Sequence, residues 1–450
     1  MSIAKKFEKS FKVLLPAPFT IAVLLTFFTF ILALIITKPK TDQNHFLQIL
    51  SFWEQGIWHS PLLVFAMQMM LMLVLGHTLA LSNPINRMIS KGVIYCNNTA
   101  NAAAIVTFFT ILVSLFNWGL GLIFGAIFAR KVGEHANQKN IKINYALIGA
   151  AGYSGLMVWH GGISGSAPIK IAEKGHFLEK NIGVISQSET IFSTMNISIS
   201  IVLLIALPLL MYFLGWKKSE NTISIISKKE KDEKERTIIT GAEKLDHSSI
   251  LTWIFGGIII LYAFYKAIIL PEKISLSVIT PNYINLVLLA SAILMHKSFF
   301  TFLKAVDDAI SGASGILIQF PLYFGIMGIM NHSGMVDIMS EFFVSISNKN
   351  TFPIFTFISA GIVNIFVPSG GGQWAVQGPI IIESAKQLGV SIPKSIMALA
   401  YGDQLTNMLQ PFWALPLLGI TGLKAKEILP YTLILLTSGA IIFIGGLLIF

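Results

Sequence analysis

The chain has 450 residues, 54% of them hydrophobic and only 12% charged, with a formal net charge of +10 and a single cysteine. Soluble domains carry roughly 25% charged residues, and the apolar residues here form stretches long enough to cross a bilayer, which excludes a soluble enzyme. A nucleic-acid module needs basic residues interleaved with aromatics on a soluble fold, and a lone Cys96 excludes an intramolecular disulfide framework.

Lys5, Lys6, Lys9 and Lys12 make the N-terminus basic, and 5–15 reads as an amphipathic helix lying on the membrane surface. Spanning segments are expected at 19–37, 60–82, 99–116, 182–214, 250–270, 281–297, 313–330, 395–421 and 429–449. The first is longer than a signal-peptide core and lacks a small-residue cleavage site, so it reads as a retained helix. Residues 217–249 hold the one long charged run, 228–236, and read as a cytoplasmic linker between an N-terminal half, 1–216, and a C-terminal half, 250–450. Arg87 with Lys91, and Lys424 with Lys426, mark further cytoplasmic edges by the positive-inside rule. Asp307 and Asp308 precede an apolar segment and read as interfacial charges.

Two glycine-rich knots interrupt the apolar sequence. The first is 159–168, with Trp159, His160, Ser164, Gly165, Ser166 and Pro168; the second is 367–379, with Ser369, Gly370, Gly371, Gly372, Gln373, Trp374 and Pro379. Non-helical backbone is tolerated at membrane depth only where protein buries it or where it lines a cavity. The arms around each knot are short for a crossing, so both segments, about 143–178 and 353–389, are expected to be re-entrant helical hairpins with the knots as tips. Pro168 and Pro379 stand where a returning helix would begin. Glycines let backbone N–H groups approach a ligand, and helix N-termini carry partial positive charge, so the tips suit a carboxylate. The competing reading, tight packing of small residues, fits an isolated glycine better than two matched clusters.

After each knot a polar stretch breaks the next apolar segment. The first contains Glu189, Thr194 and Asn196; the second contains Asp403, Thr406, Asn407 and Gln410-Pro411. Freed carbonyls with Ser, Thr and Asn oxygens suit Na⁺ or a polar substrate. Glu189 and Asp403 are candidate ion ligands or proton carriers, or else interfacial charges, and His160 is a further titratable group or a structural hydrogen-bonding residue. Trp159, Trp374, Phe412 and Trp413 line an apolar pocket or serve as packing anchors. The halves repeat: Asn117-Trp118-Gly119 precedes Asn331-His332-Ser333 by 214 residues (331 − 117), and Ala-Leu-Pro-Leu-Leu recurs at 206–210 and 414–418. Inverted repeats need an odd number of crossings between equivalent points, whereas these segments give four between 60 and 281. An extra crossing at 120–129, a more complex 182–214 segment and parallel repeats each reconcile the count.

The second knot, the first knot and the Gly402 to Pro411 stretch together resemble the short-chain fatty acid transporter family, with the acetoacetate and butyrate permeases of bacteria, over nearly the whole chain. The resemblance implies an all-α polytopic membrane protein with inverted repeats, two re-entrant hairpins and broken helices, a homodimer in the bacterial inner membrane, and segments after Asn117 and Asn331 acting as interfacial arms. Dicarboxylate members of the wider superfamily have Ser-Asn-Thr tips; this chain has Ser164-Gly165-Ser166 and Ser369-Gly370-Gly371, which suits a smaller monocarboxylate. The expected activity is uptake of short-chain monocarboxylates coupled to H⁺ or Na⁺, with a dicarboxylate or other organic-anion symporter as the alternative. No HExxH, GxSxG, Walker A or clustered His/Cys ligands occur, so no enzymatic activity, cofactor or certain metal site is expected.

Overall fold

The computed structural model describes residues 16–39, 44–216 and 240–450. The surface helix expected at 5–15 and the charged run 228–236 lie outside these residues. Among the described residues every regular element is helical. Hydrocarbon offers backbone N–H and C=O groups no partner, so a spanning chain must pair them internally.

In chain order the N-terminal half contains α1 (Pro18–Ile36), α2 (His45–Ile57), α3 (Ser60–Ala80), α4 (Asn83–Val93), α5 (Thr99–Phe116), α6 (Trp118–Gln138), α7 (Tyr145–Tyr153), α8 (Ser166–Lys170) and α9 (Thr194–Trp216). A connecting helix α10 (Ser249–Phe264) leads to α11 (Pro281–His296), α12 (Phe299–Ile310), α13 (Ser314–Ser333), α14 (Met335–Ile346), α15 (Phe352–Phe366), α16 (Gly370–Leu388), α17 (Ile392–Thr406), α18 (Pro411–Thr421) and α19 (Ala425–Ile449). Seven described helical runs are long and apolar enough to span a bilayer, including Phe299–Ser333, in which α12 and α13 are continuous. The outer helices turn apolar side chains outward, such as Ile258 and Leu261 on α10, as lipid contact requires.

Side-chain contacts fix the ends of the bundle. At one end the Asn144 N–H donates to Thr99 Oγ1, the Tyr145 hydroxyl to Thr421 O, and Lys131 Nζ to Asn86 O and Ser90 Oγ. His296 meets Thr78 O at the same end. At the other end Glu173, Gln68 and Asn282 share hydrogen bonds, and Gln187 donates to Ile279 O.

Three departures from the sequence reading have local causes. The segment expected at 182–214 becomes helical only at Thr194, because Ser186 Oγ accepts the Ser188 N–H and Glu189 Oε1 accepts the Ser186 N–H, holding a 3₁₀ turn instead. The helix after Ser369 begins at Gly370, so Pro379 lies inside α16 rather than at its start. Ser369 Oγ accepts the Gly372 N–H and Ser369 O the Gln373 N–H, which nucleates the helix ahead of the proline. The third departure is larger. Residues 143–178 do not form a hairpin: α7 passes through 3₁₀ turns at Ser154–Met157 and Trp159–Gly161 into the five-residue α8. This run starts beside Thr99 and Thr421 and reaches the Gln68–Asn282 end, so it is a broken traverse. The tightly turned antiparallel pair of this half is α5–α6, joined by Asn117 alone. Trp118–Gln138 is largely buried and is therefore not an interfacial arm.

Cys96, in the turn between α4 and α5, is fully buried, and burial pushes its thiol up to about 12. The thiolate is the reactive form. Maleimide labelling at pH 7.5 is therefore expected to be slow in the folded protein and complete after denaturation in SDS. Fast labelling of the native protein would contradict the packing of this turn.

Candidate substrate site

A small cavity of about 20 Å³, close to the room one water needs, lies where both tight turns and both broken helices converge. Trp118 enters it from the first residue of α6, and Ser369, Gly370 and Gly371 from the start of α16. Leu156 and Trp159 come from the break between α7 and α8 and Ser166 from the first residue of α8; Asn407 comes from the break between α17 and α18 and Trp413 from the first turn of α18. Met69 of α3 and Ile316 and Phe320 of α13 close the wall.

The two turns are built alike. Asn117 Oδ1 accepts the Leu120 N–H at 2.8 Å, and Ser369 Oγ accepts the Gly372 N–H at 3.2 Å. In each case an N-cap satisfies one orphan donor, leaving the first N–H groups of the helix without intrahelical partners. The glycines of α16 serve close approach rather than a left-handed backbone. A Cβ at Gly370 would lie 2.7 Å from Trp159 and 2.9 Å from His160, and one at Gly372 would lie 2.6 Å from Tyr323.

The walls are aromatic. The ring centroids of Trp118 lie 5.6 Å from Trp159 and 5.4 Å from Trp413, the latter edge-on. The buried indole N–H groups of Trp118 and Trp159 have no hydrogen-bond partner among the described residues. No lining residue carries a formal charge. The site can therefore hold an apolar tail against tryptophan faces and offer neutral donors (helix N–H, indole N–H, Ser and Asn side chains) to a small polar head.

The site residues read from sequence divide in the structure. Ser166, Ser369, Gly370, Gly371 and Asn407 line the cavity. Ser164 and Gly165 shape the backbone behind it: Ser164 Oγ accepts the Trp118 N–H at 3.0 Å, and Gly165 packs against His160 O with no room for a side chain. Gly372 packs under Tyr323, and Gln373 donates to Ala360 O and Gln377. Asn196 is held by Gly161 O, Ile191 O and the Tyr401 hydroxyl, and Thr406 by Asn364. Thr194 and Glu189 are exposed, and Glu189 caps its own turn. Asp403 and His160 meet directly behind Trp159. Trp374 is buried against Phe177, away from the cavity, and the side chain of Phe412 lies outside what is described. Sequence reasoning missed Trp118, Met69, Leu156, Ile316 and Phe320. The Asn-Trp-Gly triplet after an apolar helix was the available signal for Trp118, since Asn is a favoured N-cap.

The whole chain matches known proteins. The family model for short chain fatty acid transporters matches residues 2–450. A protein of Escherichia coli strain K12 assigned as a short-chain fatty acid transporter is 38% identical over 442 residues, covering 97% of this chain and 96% of the relative. One of Haemophilus influenzae with the same assignment is 38% identical over 447 residues, covering 96% of each. Among solved structures, the YdaH transporter of Alcanivorax borkumensis, described as having an unusual topology, superposes with a TM-score of 0.61 at 14% identity, covering 96% of this chain and 98% of that one. MtrF of Neisseria gonorrhoeae, described within a class of antimetabolite efflux pumps, gives 0.61 at 13% identity, covering 98% and 97%. At such identities these two likenesses speak to the fold alone.

Proposed function

This chain belongs to the short chain fatty acid transporter family, and on that premise we propose that it takes up short-chain monocarboxylates such as butyrate or acetoacetate by alternating access, driven by H⁺ or Na⁺. The observation that carries the substrate class is the uncharged, tryptophan-walled cavity at the two capped helix starts. A carboxylate head fits the free N–H groups at Gly370 and Gly371 and the indole donors. A short aliphatic tail would lie against Trp118, Trp159 and Trp413 once the walls move apart, since the cavity as it stands holds about 20 Å³. A dicarboxylate would need a second set of strong donors or a cationic side chain, and none lines the cavity.

Alternating access is supported by the order of the elements. In this reading α1–α9 correspond to α11–α19, with α10 the added crossing. Ser60 pairs with Ser314 at an offset of 254 (314 − 60), and Asn117 with Ser369 at 252 (369 − 117). This register replaces the 214-residue pairing of Asn117 with Asn331, since Asn331 lies inside α13 near its end and forms no turn between paired helices. Packing follows the same exchange: α2 lies on α13 while α12 lies on α3, and α1 lies on α13 while α11 lies on α3. Five crossings separate α3 from α13, counting α3, α7–α8, α9, α10 and α11, and that odd number supports inverted repeats. Arg87, Lys91, Arg130, Lys131, Lys424 and Lys426 lie at the Thr99–Thr421 end, which supports that end as cytoplasmic in the bacterial inner membrane. We further propose a homodimer, on the family resemblance alone.

The test is uptake of labelled butyrate and succinate into proteoliposomes, with pH and Na⁺ gradients imposed separately and protein-free vesicles subtracted. Butyrate uptake above background is expected; succinate uptake without butyrate uptake would overturn the substrate class. Ser369→Ala and Asn407→Ala should each lower uptake about 5- to 30-fold, the loss of one or two hydrogen bonds. Unchanged kinetics in both would remove the cavity from the transport path.

A further inference from the structure

His160 and Asp403 lie 243 residues apart in sequence (403 − 160) and meet inside the bundle. His160 is fully buried and Asp403 is 1% exposed, with His160 Nδ1 2.7 Å from Asp403 Oδ2. The other imidazole nitrogen sets the tautomer: the Ala167 N–H, in the first turn of α8, donates to His160 Nε2 at 3.1 Å. Nε2 is therefore the acceptor, Nδ1 carries the hydrogen, and Nδ1 donates it to the carboxylate. In this arrangement an ionised Asp403 would stand beside a neutral imidazole. Asp403 Oδ1 is buried and has no hydrogen-bond donor among the described residues. A buried carboxylate oxygen without a donor is costly.

The pair stands immediately behind the cavity. The His160 ring stacks on Trp159 at 4.5 Å, and both rings lie against Gly370, whose N–H is a proposed carboxylate donor. With Asp403 ionised, an incoming carboxylate would approach a site backed by one uncompensated negative charge in surroundings of low dielectric, where like charges repel strongly.

The charges on the neighbouring elements do not relieve this. On α8, Lys170 is taken up by Glu173 and Gln68. On α15 no residue is ionisable, and α16 carries only Glu383 and Lys386, towards its C-terminal end. On α19 Lys426, Glu427 and Tyr431 lie near its start; α17 itself adds Lys394 at its start and Tyr401, whose hydroxyl donates to Asn196.

We propose that Asp403 Oδ1 is the proton-binding site of the transport cycle, and that His160 is a positioning residue that holds the other carboxylate oxygen. This rests on the transport reading above and selects H⁺ as the coupling ion. A proton on Oδ1 makes the pair neutral, removes the uncompensated charge from the buried oxygen and leaves the His160–Ala167 contact in place. Substrate and proton then bind together, and the loaded site carries only the charge of the carboxylate.

The experiment is a butyrate titration of the purified full-length protein in detergent, read by the fluorescence of the cavity tryptophans at pH 6, 7 and 8, with and without Na⁺. The expected result is a Kd that rises with pH, by up to tenfold per unit, and does not depend on Na⁺. In Asp403→Asn the pH slope disappears. In His160→Gln, which keeps an N–H donor for Oδ2, the slope remains but is displaced along the pH axis. A slope that survives in Asp403→Asn places the proton on the substrate itself and overturns the proposal. A flat wild-type profile, or one that responds to Na⁺ instead, also overturns it while leaving the transport reading intact. Absence of a saturable butyrate signal at every pH overturns both.

Discussion

Gly370→Val is expected to reduce butyrate uptake about 10- to 100-fold while leaving a folded protein. The Cβ alone would lie 2.7 Å from Trp159 and 2.9 Å from His160, well inside contact distance. Both neighbours are buried rings stacked on each other, and His160 is pinned by Asp403 and Ala167. Overpacking of this kind typically costs about 1–3 kcal/mol, and each 1.4 kcal/mol is a factor of ten in an equilibrium. The added methyls also cover the first N–H groups of α16. Gly257→Val is the control: a Cβ there meets nothing within 4 Å, and uptake should stay at the wild-type level. The measurement is initial uptake per folded protein, with folding checked by size-exclusion chromatography. Wild-type uptake by Gly370→Val would mean that the start of α16 is not part of the site.

Lys170→Met is expected to destabilise the protein by about 2–3 kcal/mol. Lys170 is 2% exposed, its Nζ lies 2.6 Å from Glu173 Oε2 and 3.1 Å from Gln68 Oε1, and it stands over the Phe65 ring. Removing one partner of a buried pair typically costs 3–5 kcal/mol because the other charge is left uncompensated. Glu173 is only partly buried and keeps bonds from Gln68 and Asn282, which lowers the expected figure. The cluster joins α8 to α3 and α11, so its loss should loosen the contact between the broken helix and the wall of the site. Thermal unfolding in detergent measures this, and Lys170→Met with Glu173→Gln should recover most of the loss, since no charge is then left unpaired. Equal stability of the single variant and the wild type would refute the account.

The spanning helices were legible because hydrocarbon imposes a local and uniform demand. Each crossing needs about 20 apolar residues, and that signal survives in a single sequence. The breaks at 159–168 and 407–410 were legible for the complementary reason, since glycine, proline and polar residues mark backbone that cannot stay helical. The hairpin assignment failed in the N-terminal half. α5–α6 turns at Asn117 with no glycine or proline at the turn itself, so composition marked the α7–α8 break more loudly than the true turn. Ser164 illustrates the limit within a correctly located knot. Its hydroxyl accepts the Trp118 N–H, and nothing in the local sequence separates that role from facing a ligand.

By itself the amino-acid sequence determined that this is a polytopic helical membrane protein with two interrupted regions, and it carried the motifs of its family. These are properties of single segments, set by what lipid allows each stretch of backbone to do. Only the tertiary structure decided which of the candidate residues line the cavity, that Trp118 joins Trp159 and Trp413 in its wall, and that Asp403 is paired with His160. Those are contacts between residues tens to hundreds of positions apart. Packing of one helix against another creates them, and such contacts leave no periodicity or composition in the sequence from which to read them.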